Sequence, residues 1–367
     1  MKRKQKTVVI GLSGGVDSAV AALMLKKQGY KVIAAFMKNF SDSKNKITGE
    51  CNWVSEKKDA QKISTILKIP LVTFDFEEEY KKLVINQMFR SYEKGLTPNP
   101  DVLCNKRIKF PLFWKKAKSL GADYIAMGHY ARIIRSKSNI QLLRGKDSKK
   151  DQSYFLYELT ERDLEHTLFP IGEYTKEEIR KIAKKKKFPN HDKKGTRGIC
   201  FVGKIDMKSF LKQRIKPLRG IIKNPQGEII GKHNGITFYT IGERLGERIG
   251  AEIYKESRNK SGKKWHVVNK IKSSNTLIAA PEGHPSSFRK EFYINKIHLI
   301  NKKEKIHNKN FKVRIRHLGE LIPARIIKLK SKTKVILKKS LKGIAEGQNT
   351  VIYDKNRIVG GGEIRIK

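Results

Sequence analysis

Cysteine is scarce in this sequence: Cys51, Cys104 and Cys200 are the only three in 367 residues. That excludes a disulfide-built scaffold and a cysteine-rich zinc site, and no metal-ligating residues are expected from the pattern. Each thiol is then either a small buried apolar group or a reactive centre. Long apolar runs are missing too. No stretch approaches the roughly 20 residues needed to cross a bilayer, so no membrane partner is expected. The opening MKRKQKTVVI is basic and then apolar, but its apolar part is short and broken by Gly11 and Ser13. It reads as a strand and not as a secretory leader, which makes the cytoplasm the expected location. Acidic side chains are few, 35 against 81 Lys and Arg, for a net charge of +46. A field of that sign attracts polyanions, nucleic acid first. Segments such as NKKEKIHNKNFK share the same Lys-, Ile- and Asn-rich texture, so charge alone does not name the partner. Internal repeats are absent.

What is present begins with alternating strands and helices. Thr7–Leu12, Lys31–Phe36, Leu71–Asp75 and Asp123–Met127 read as strands. Ala19–Lys27, Ser55–Lys68, Glu78–Tyr92 and Phe110–Leu120 read as helices. Such alternation predicts a parallel sheet with crossovers, an α/β doubly wound, Rossmann-like domain, with its ligand beyond the carboxyl ends of the strands. The turn Ser13–Ser18, the loop Met37–Asn39 and Gly128–Tyr130 should then share one edge. After Glu173 the helices are short and very basic, and near Gly220 turn signals come every few residues. From Phe292 on, period-2 segments such as FKVRIRHL, TKVILKK and NTVIYD predict a small antiparallel barrel. The expected organisation is a catalytic domain over 1–206, a small mixed central domain over 207–281 and a C-terminal antiparallel β-barrel over 282–367.

Three stretches carry chemistry. GLSGGVDS, Gly11–Ser18, is neither the Walker frame, since no Lys follows the glycines, nor the dinucleotide Gly-x-Gly-x-x-Gly. It offers backbone N–H groups and hydroxyls at a helix N-terminus, which is an anion site. Asp17 in such a site would repel phosphate unless Mg²⁺ joined them, which suggests a metal-bridged pyrophosphate. TPNPDVLCNKRIKF holds Asp101 three residues before Cys104, with Lys106 and Arg107 following; nearby cations favour thiolate and a carboxylate can serve as acid or base. KKGTRGICFVGK sets Cys200 among glycines and lysines. If that loop activates a substrate with ATP, as in the ATP pyrophosphatases whose signature it resembles, two thiols beside it pose one coherent problem, sulfur transfer: one cysteine carries a persulfide and the other resolves it through a disulfide. Cys51 reads as a plain buried or loop thiol.

The loop SGGVDS resembles the pyrophosphate-loop signature of the ATP pyrophosphatase (PP-loop) superfamily. Together with FMKNF, TPNPDVLCNKRIKF, LGADYIAMGHYARI, LLRGKDSKKDQSYFLY, LFPIGEYTKEEIRKIA, GICFVG and GQNTVIYD, it makes nearly the whole chain similar to the bacterial tRNA-specific 2-thiouridylases. The resemblance implies that Gly11, Leu12, Ser13, Gly14, Gly15, Val16, Asp17 and Ser18, with Met37 and Gly128, bind ATP with its Mg²⁺. It implies that Asn99, Pro100 and Asp101 meet the target base, with Asp101 as acid/base group. Cys200 would take a persulfide from a sulfur-relay donor protein, and Cys104 would be the nucleophile that releases sulfur or resolves the intermediate. His129, Lys150, Asp151, Gln152, Arg316, His317 and Gln348 match positions that touch tRNA. The implied reaction is that of a tRNA-uridine 2-sulfurtransferase. The C2 oxygen of the wobble uridine in tRNAs for Lys, Glu and Gln is adenylated with loss of pyrophosphate, sulfur attacks C2, and AMP leaves.

The chain departs from the family pattern in places. Glu243 and Glu247 bring acid into the segment TIGERLGERIG, Arg197 stands where serine is common, and His317 where tyrosine is common. Two other readings fit part of the pattern: a different PP-loop enzyme, such as a lysidine synthetase or an amide-forming ligase, and a catalytically silent RNA-binding protein. Neither needs both cysteines beside an intact Ser13–Ser18 loop.

Overall fold

The computed structural model describes residues 5–41, 51–136, 139–193 and 206–366. Its first sheet is fully parallel. β1 (Thr7–Gly11), β2 (Lys31–Lys38), β3 (Leu71–Asp75), β4 (Tyr124–Ala126) and a later two-residue strand, Thr167–Leu168, run in the order β3-β2-β1-β4 and then that edge strand. β1 is apolar on both faces, as a strand covered by helices on both sides must be. Val8 and Ile10 pack with α1 (Val16–Lys27), while Val9 faces the helices between Glu77 and Ser119. α2 (Asn52–Leu67) joins the α1 side through Ala60, Ile63 and Leu67.

The expected helix over Glu78–Tyr92 is present, but its middle, Lys81–Ile85, is wound as a π-helix between Glu77–Tyr80 and Asn86–Glu93. A second wide segment was not foreseen. The Pro-rich stretch is a helical turn, Pro100–Cys104, that continues into a π-helix at Asn105–Lys109 and then into Pro111–Ser119. π-Turns are uncommon and concentrate at functional sites.

The second departure concerns β5 (Ala131–Arg135) and β6 (Ile140–Arg144). This antiparallel hairpin follows β4 directly, yet β6 pairs with a strand near the chain's end, Arg357 opposite Leu143. A central five-stranded sheet spans Gly220–Pro281, with its first and last-formed neighbours, Gly220–Lys223 and Thr276–Pro281, parallel. The last sheet closes on itself. Six strands between Phe288 and Arg365 form an antiparallel ring, because Phe288–Ile294 pairs both with Thr333–Lys342 and with Arg357–Arg365. Closure removes the free edges and surrounds a core of Phe292, Val313, Ile326, Val335 and Ile352. The barrel reaches the first domain at Thr97, whose N–H donates to the Glu346 carbonyl at 2.8 Å.

Candidate functional site

The glycine-rich turn is built by close backbone contact. Gly14 has φ +72°, and a Cβ there would lie 2.3 Å from the Glu56 carbonyl oxygen in α2. Only glycine meets both demands. Gly128, after β4, approaches so closely that a Cβ would lie 2.9 Å from the Ser18 nitrogen. Inside the turn the Ser13 N–H donates to Ser18 Oγ at 3.2 Å, and Ser18 Oγ donates to the Gly15 carbonyl at 3.0 Å. Asn190 Nδ2 donates to the Gly14 carbonyl at 2.9 Å from outside. Gly15 caps α1 without any side-chain bond, so the first N–H groups of the helix point out of the turn, as an anion site requires.

Asp17, in the first turn of α1, is held from two sides. Tyr130 OH donates to its Oδ1 at 2.7 Å, and Lys176 Nζ reaches the same oxygen at 2.6 Å. Burial pushes the Tyr130 phenol far above its ordinary range, and the Asp17 charge pushes it further, so Tyr130 is a fixed donor. Met37 and Met127 close the same edge: a Cβ on Gly11 would lie 2.8 Å from Met127 Sδ and 3.1 Å from Met37 Cε. Leu12 and Val16 are buried beneath. The turn Ser13–Ser18, the end of β2 and Gly128–Tyr130 thus share the carboxyl edge. Asn39, one residue beyond β2, is 1% exposed, and neither its amide oxygen nor its nitrogen has a partner. An orphaned donor and acceptor at this edge suit a nucleobase, which the described residues themselves do not satisfy. Among the described residues no group of three or more His, Cys, Asp or Glu side chains is arranged to hold a metal. A magnesium ion would be held by Asp17 and the phosphates it accompanies, the usual way such ions are bound.

The second part of the site is the helix of Asp101 and Cys104. Asn99 caps it, its Oδ1 accepting from the N–H groups of Asp101 at 3.2 Å and Val102 at 3.3 Å, and Pro100 supplies the pre-set first helical position. Asp101 is half-buried, while Cys104 is 0% exposed among Val102, Ile108 and Phe110. Asn105 Nδ2 bonds the Asp101 carbonyl at 3.0 Å and the Phe155 carbonyl at 3.3 Å, which ties this helix to the turn Ser153–Leu156. Phe155 stacks on His317, ring centres 4.4 Å apart. Burial takes the His317 imidazole down to about 4. Tyr154 OH bonds the Asn349 carbonyl at 2.7 Å, beside Gln348, whose side-chain oxygen is buried without a partner. One cluster therefore gathers Asn99, Pro100, Asp101, Cys104, His317 and Gln348, from elements far apart in sequence.

A backbone bridge joins the two parts. Gln152 Oε1 accepts the Tyr130 N–H at 3.0 Å, and the Gln152 N–H donates to the Tyr130 carbonyl at 3.0 Å. His129 lies inward between Phe110 and Phe169, with ring-centre distances of 6.0 and 5.8 Å. Burial drives its basicity well below the usual imidazole value, and Lys109 adds to this. Lys150 and Arg316 are exposed at the rim.

Asp151 requires a correction. It was expected to face tRNA, yet it is 0% exposed. Its Oδ2 accepts from Arg144 Nε at 3.1 Å and Arg314 at 3.0 Å, and its Oδ1 accepts the N–H groups of Gly145 at 3.2 Å and Ser153 at 3.1 Å. It is the knot that fastens the β5–β6 hairpin and the Ser153 turn to the barrel. Cys200 and Arg197 lie outside the described residues. Cys51 is half-buried, its thiol donating to the Ser41 carbonyl. Lys176, Asn105 and Phe155 escaped the sequence reading, and Tyr130 entered it only as the end of the edge loop Gly128–Tyr130, without a role. Tyr130 stands in the motif GHY, but Lys176 lies in a lysine-rich helix start where nothing marks it.

Three family models match in succession. Residues 6–204 match one described as a tRNA methyl transferase HUP domain, 208–281 a tRNA methyl transferase PRC-barrel domain, and 289–364 an aminomethyltransferase beta-barrel domain. The tRNA-specific 2-thiouridylase MnmA 1 of Geobacillus kaustophilus is 41% identical, over 97% of this chain and 95% of its own length. The MnmA of Blochmanniella floridana is 43% identical over 98% and 96%, and that of Shewanella sp. strain MR-7 is 39% identical over 98% and 96%. Identity at this level over both full lengths makes the chain a member of the tRNA-specific 2-thiouridylase family.

Proposed function

We propose that the protein is a sulfurtransferase that uses ATP to replace the C2 oxygen of the wobble uridine in tRNAs for Lys, Glu and Gln by sulfur. The observation that carries this reading is the bridge through Tyr130 and Gln152. Tyr130 bonds Asp17 of the phosphate-type turn and Gln152, and the turn that follows Gln152 bonds Asn105 beside Asp101 and Cys104, which supports a shared site.

The chemistry explains why both parts are needed. Oxide is too poor a leaving group to be displaced from C2 of uracil, whereas an adenylated oxygen departs as AMP. The turn Ser13–Ser18 receives the phosphates on its N–H groups. Tyr130 and Lys176 both engage Oδ1 of Asp17, which leaves Oδ2 for a magnesium–phosphate complex. Asn39 offers its amide to the adenine and Met37 packs against it. Asp101, at the start of a capped and therefore rigid turn, takes or returns a proton at the uracil ring. The wobble base is unpaired in the anticodon loop, so drawing it out costs little.

Sulfur arrives on Cys200 as a persulfide from a donor protein. Its terminal sulfur bonds C2 as the C2–O bond breaks and AMP leaves. The Cys104 thiolate then attacks the Cys200 sulfur, the S–S bond to the new group breaks, and 2-thiouridine departs while a Cys104–Cys200 disulfide forms. The surplus of basic side chains supplies attraction for the RNA backbone, and the cytoplasm is the matching compartment. The domain limits 1–206, 207–281 and 282–367 belong to the same proposal.

The test incubates the full chain with ATP, Mg²⁺, a small-molecule persulfide and unmodified tRNA, followed by mass spectrometry of the nucleosides. ATP-dependent 2-thiouridine at the wobble position is expected. A methylated nucleoside, or thiolation at another position, would overturn the assignment.

A further inference from the structure

The cluster around Phe155 ends in a turn whose tip serves no visible structural purpose. Arg316, His317, Leu318 and Gly319 form it, closed by the Gly319 N–H on the Arg316 carbonyl at 3.0 Å. Leu318 occupies the third position with φ +55°. Turns that demand a positive φ there are normally given glycine or asparagine, because a Cβ crowds the neighbouring carbonyl. Of the residues described, the other non-glycine positions with such a backbone are Lys68, Lys187, Lys355, Asn275 and Asn308, so Leu318 is the one apolar side chain among them.

The conformation is not repaid by packing. Leu318 is 46% exposed and belongs to none of the three apolar clusters of the described residues. A large apolar group is held out in water by a strained backbone. Such strain, when it persists, marks places where it serves a purpose elsewhere.

Its surroundings indicate the purpose. Arg316, the turn's first residue, is exposed and cationic, and the His317 ring packs against Phe155 at 4.4 Å with a 36° tilt. The Phe155 carbonyl is bonded through Asn105 to Asp101. The tip therefore adjoins the Ser153–Leu156 turn, to which the helix of Asp101 and Cys104 is tied through Asn105, with a positive charge for phosphate and an aromatic surface at its base.

We propose that Leu318 is a wedge that enters the anticodon loop next to the target uridine and fills the stacking place the extruded base leaves. Proteins that unstack nucleic acid insert apolar side chains of this kind. Water loses contact with the leucine only in the complex, so the apolar gain appears on RNA binding and not on folding. This deepens the proposed thiolation of tRNA and rests on it.

The test uses Leu318→Gly and Leu318→Asn, which suit the backbone, and Leu318→Met, which keeps an apolar side chain. A stem-loop RNA carries 2-aminopurine beside the target uridine, a fluorophore that brightens when unstacked. With the wild-type protein the fluorescence should rise on binding, and with Leu318→Met most of the rise should remain. With Leu318→Gly and Leu318→Asn the rise should vanish and KM for tRNA should increase about five- to tenfold, the loss expected from half a leucine's burial. KM for ATP should not move, and the thermal midpoint should stay level or climb. Wild-type fluorescence and KM in the glycine and asparagine variants would overturn the wedge while leaving thiolation standing. A lowered midpoint with equal losses toward ATP and tRNA would also overturn it, as a merely structural role. Absence of thiolation by the wild-type protein would overturn both readings together.

Discussion

Replacing Asp151 by asparagine removes the charge on which the most buried ion-pair network among the described residues converges. The carboxylate accepts four bonds, two from the guanidinium groups of Arg144 and Arg314 and two from the backbone of Gly145 and Ser153. Asparagine keeps one acceptor oxygen and turns an NH₂ toward a cation. Arg314 is 5% exposed at its side chain and Arg144 18%, so water compensates one of them only in part. Breaking a buried pair by deleting one partner costs about 3–5 kcal/mol. The partial exposure of Arg144 argues for the lower end, about 3 kcal/mol. At about 2–4 °C per kcal/mol for domains of ordinary size, the first unfolding transition should fall by roughly 6–12 °C. Scanning calorimetry measures this, and tRNA kinetics taken well below the transition complete the assay. KM for tRNA should change little there, because the carboxylate does not reach the surface. An unchanged transition with a strongly raised KM would refute the reasoning and return Asp151 to the RNA.

The Gly14→Ala variant should lose ATP-dependent activity at least a hundredfold and some stability, since the new methyl group meets the Glu56 carbonyl at 2.3 Å; a fully active variant would contradict the turn geometry. Lys176→Met should raise KM for ATP about tenfold by removing a cation beside Asp17, with KM for tRNA constant, as steady-state kinetics would reveal. Acid should weaken the fold through histidine. His317 binds its proton near 4 when folded and near the ordinary 6.5 when unfolded. Its contribution is complete above 6.5 and is lost as the pH falls toward 4, with His129 acting in the same direction. A pH series of melting midpoints should therefore slope downward in that window, and His317→Phe should flatten the slope; an identical slope in the variant would count against it.

The parallel sheet and the gathering of Ser13–Ser18 with Gly128–Tyr130 at its carboxyl edge were legible because their signals are local. Val8–Ile10 is a short apolar run with a glycine-rich turn after it, and Gly29 punctuates the end of α1. The barrel strands were legible for the same reason, as period-2 segments. The β5–β6 hairpin was not, because its attachment depends on Arg357 meeting Leu143 across most of the chain. The π-helix at Asn105–Lys109 leaves no mark in composition, since only tertiary packing of Asn105 against Phe155 shows that the turn is widened. Asp151 misled because it sits in GKDSKKDQS, a stretch that looks solvated throughout, and the neighbouring Arg144 and the distant Arg314 carry it inside. Asn99–Cys104 is a capped helical turn, with the Asn99 side chain accepting from two N–H groups and Pro100 at the first helical position, and the motif alone does not show that cap.

The central claim is that the phosphate-type turn and the Asp101–Cys104 helix serve one reaction, in which the oxygen lost from uridine leaves on AMP. It can be tested with tRNA whose wobble uridine carries heavy oxygen at C2, incubated with the full chain, ATP, Mg²⁺ and a persulfide. The account predicts the heavy label in the AMP released, one atom for each 2-thiouridine formed. Thiouridine formed while the AMP stays unlabelled would contradict it.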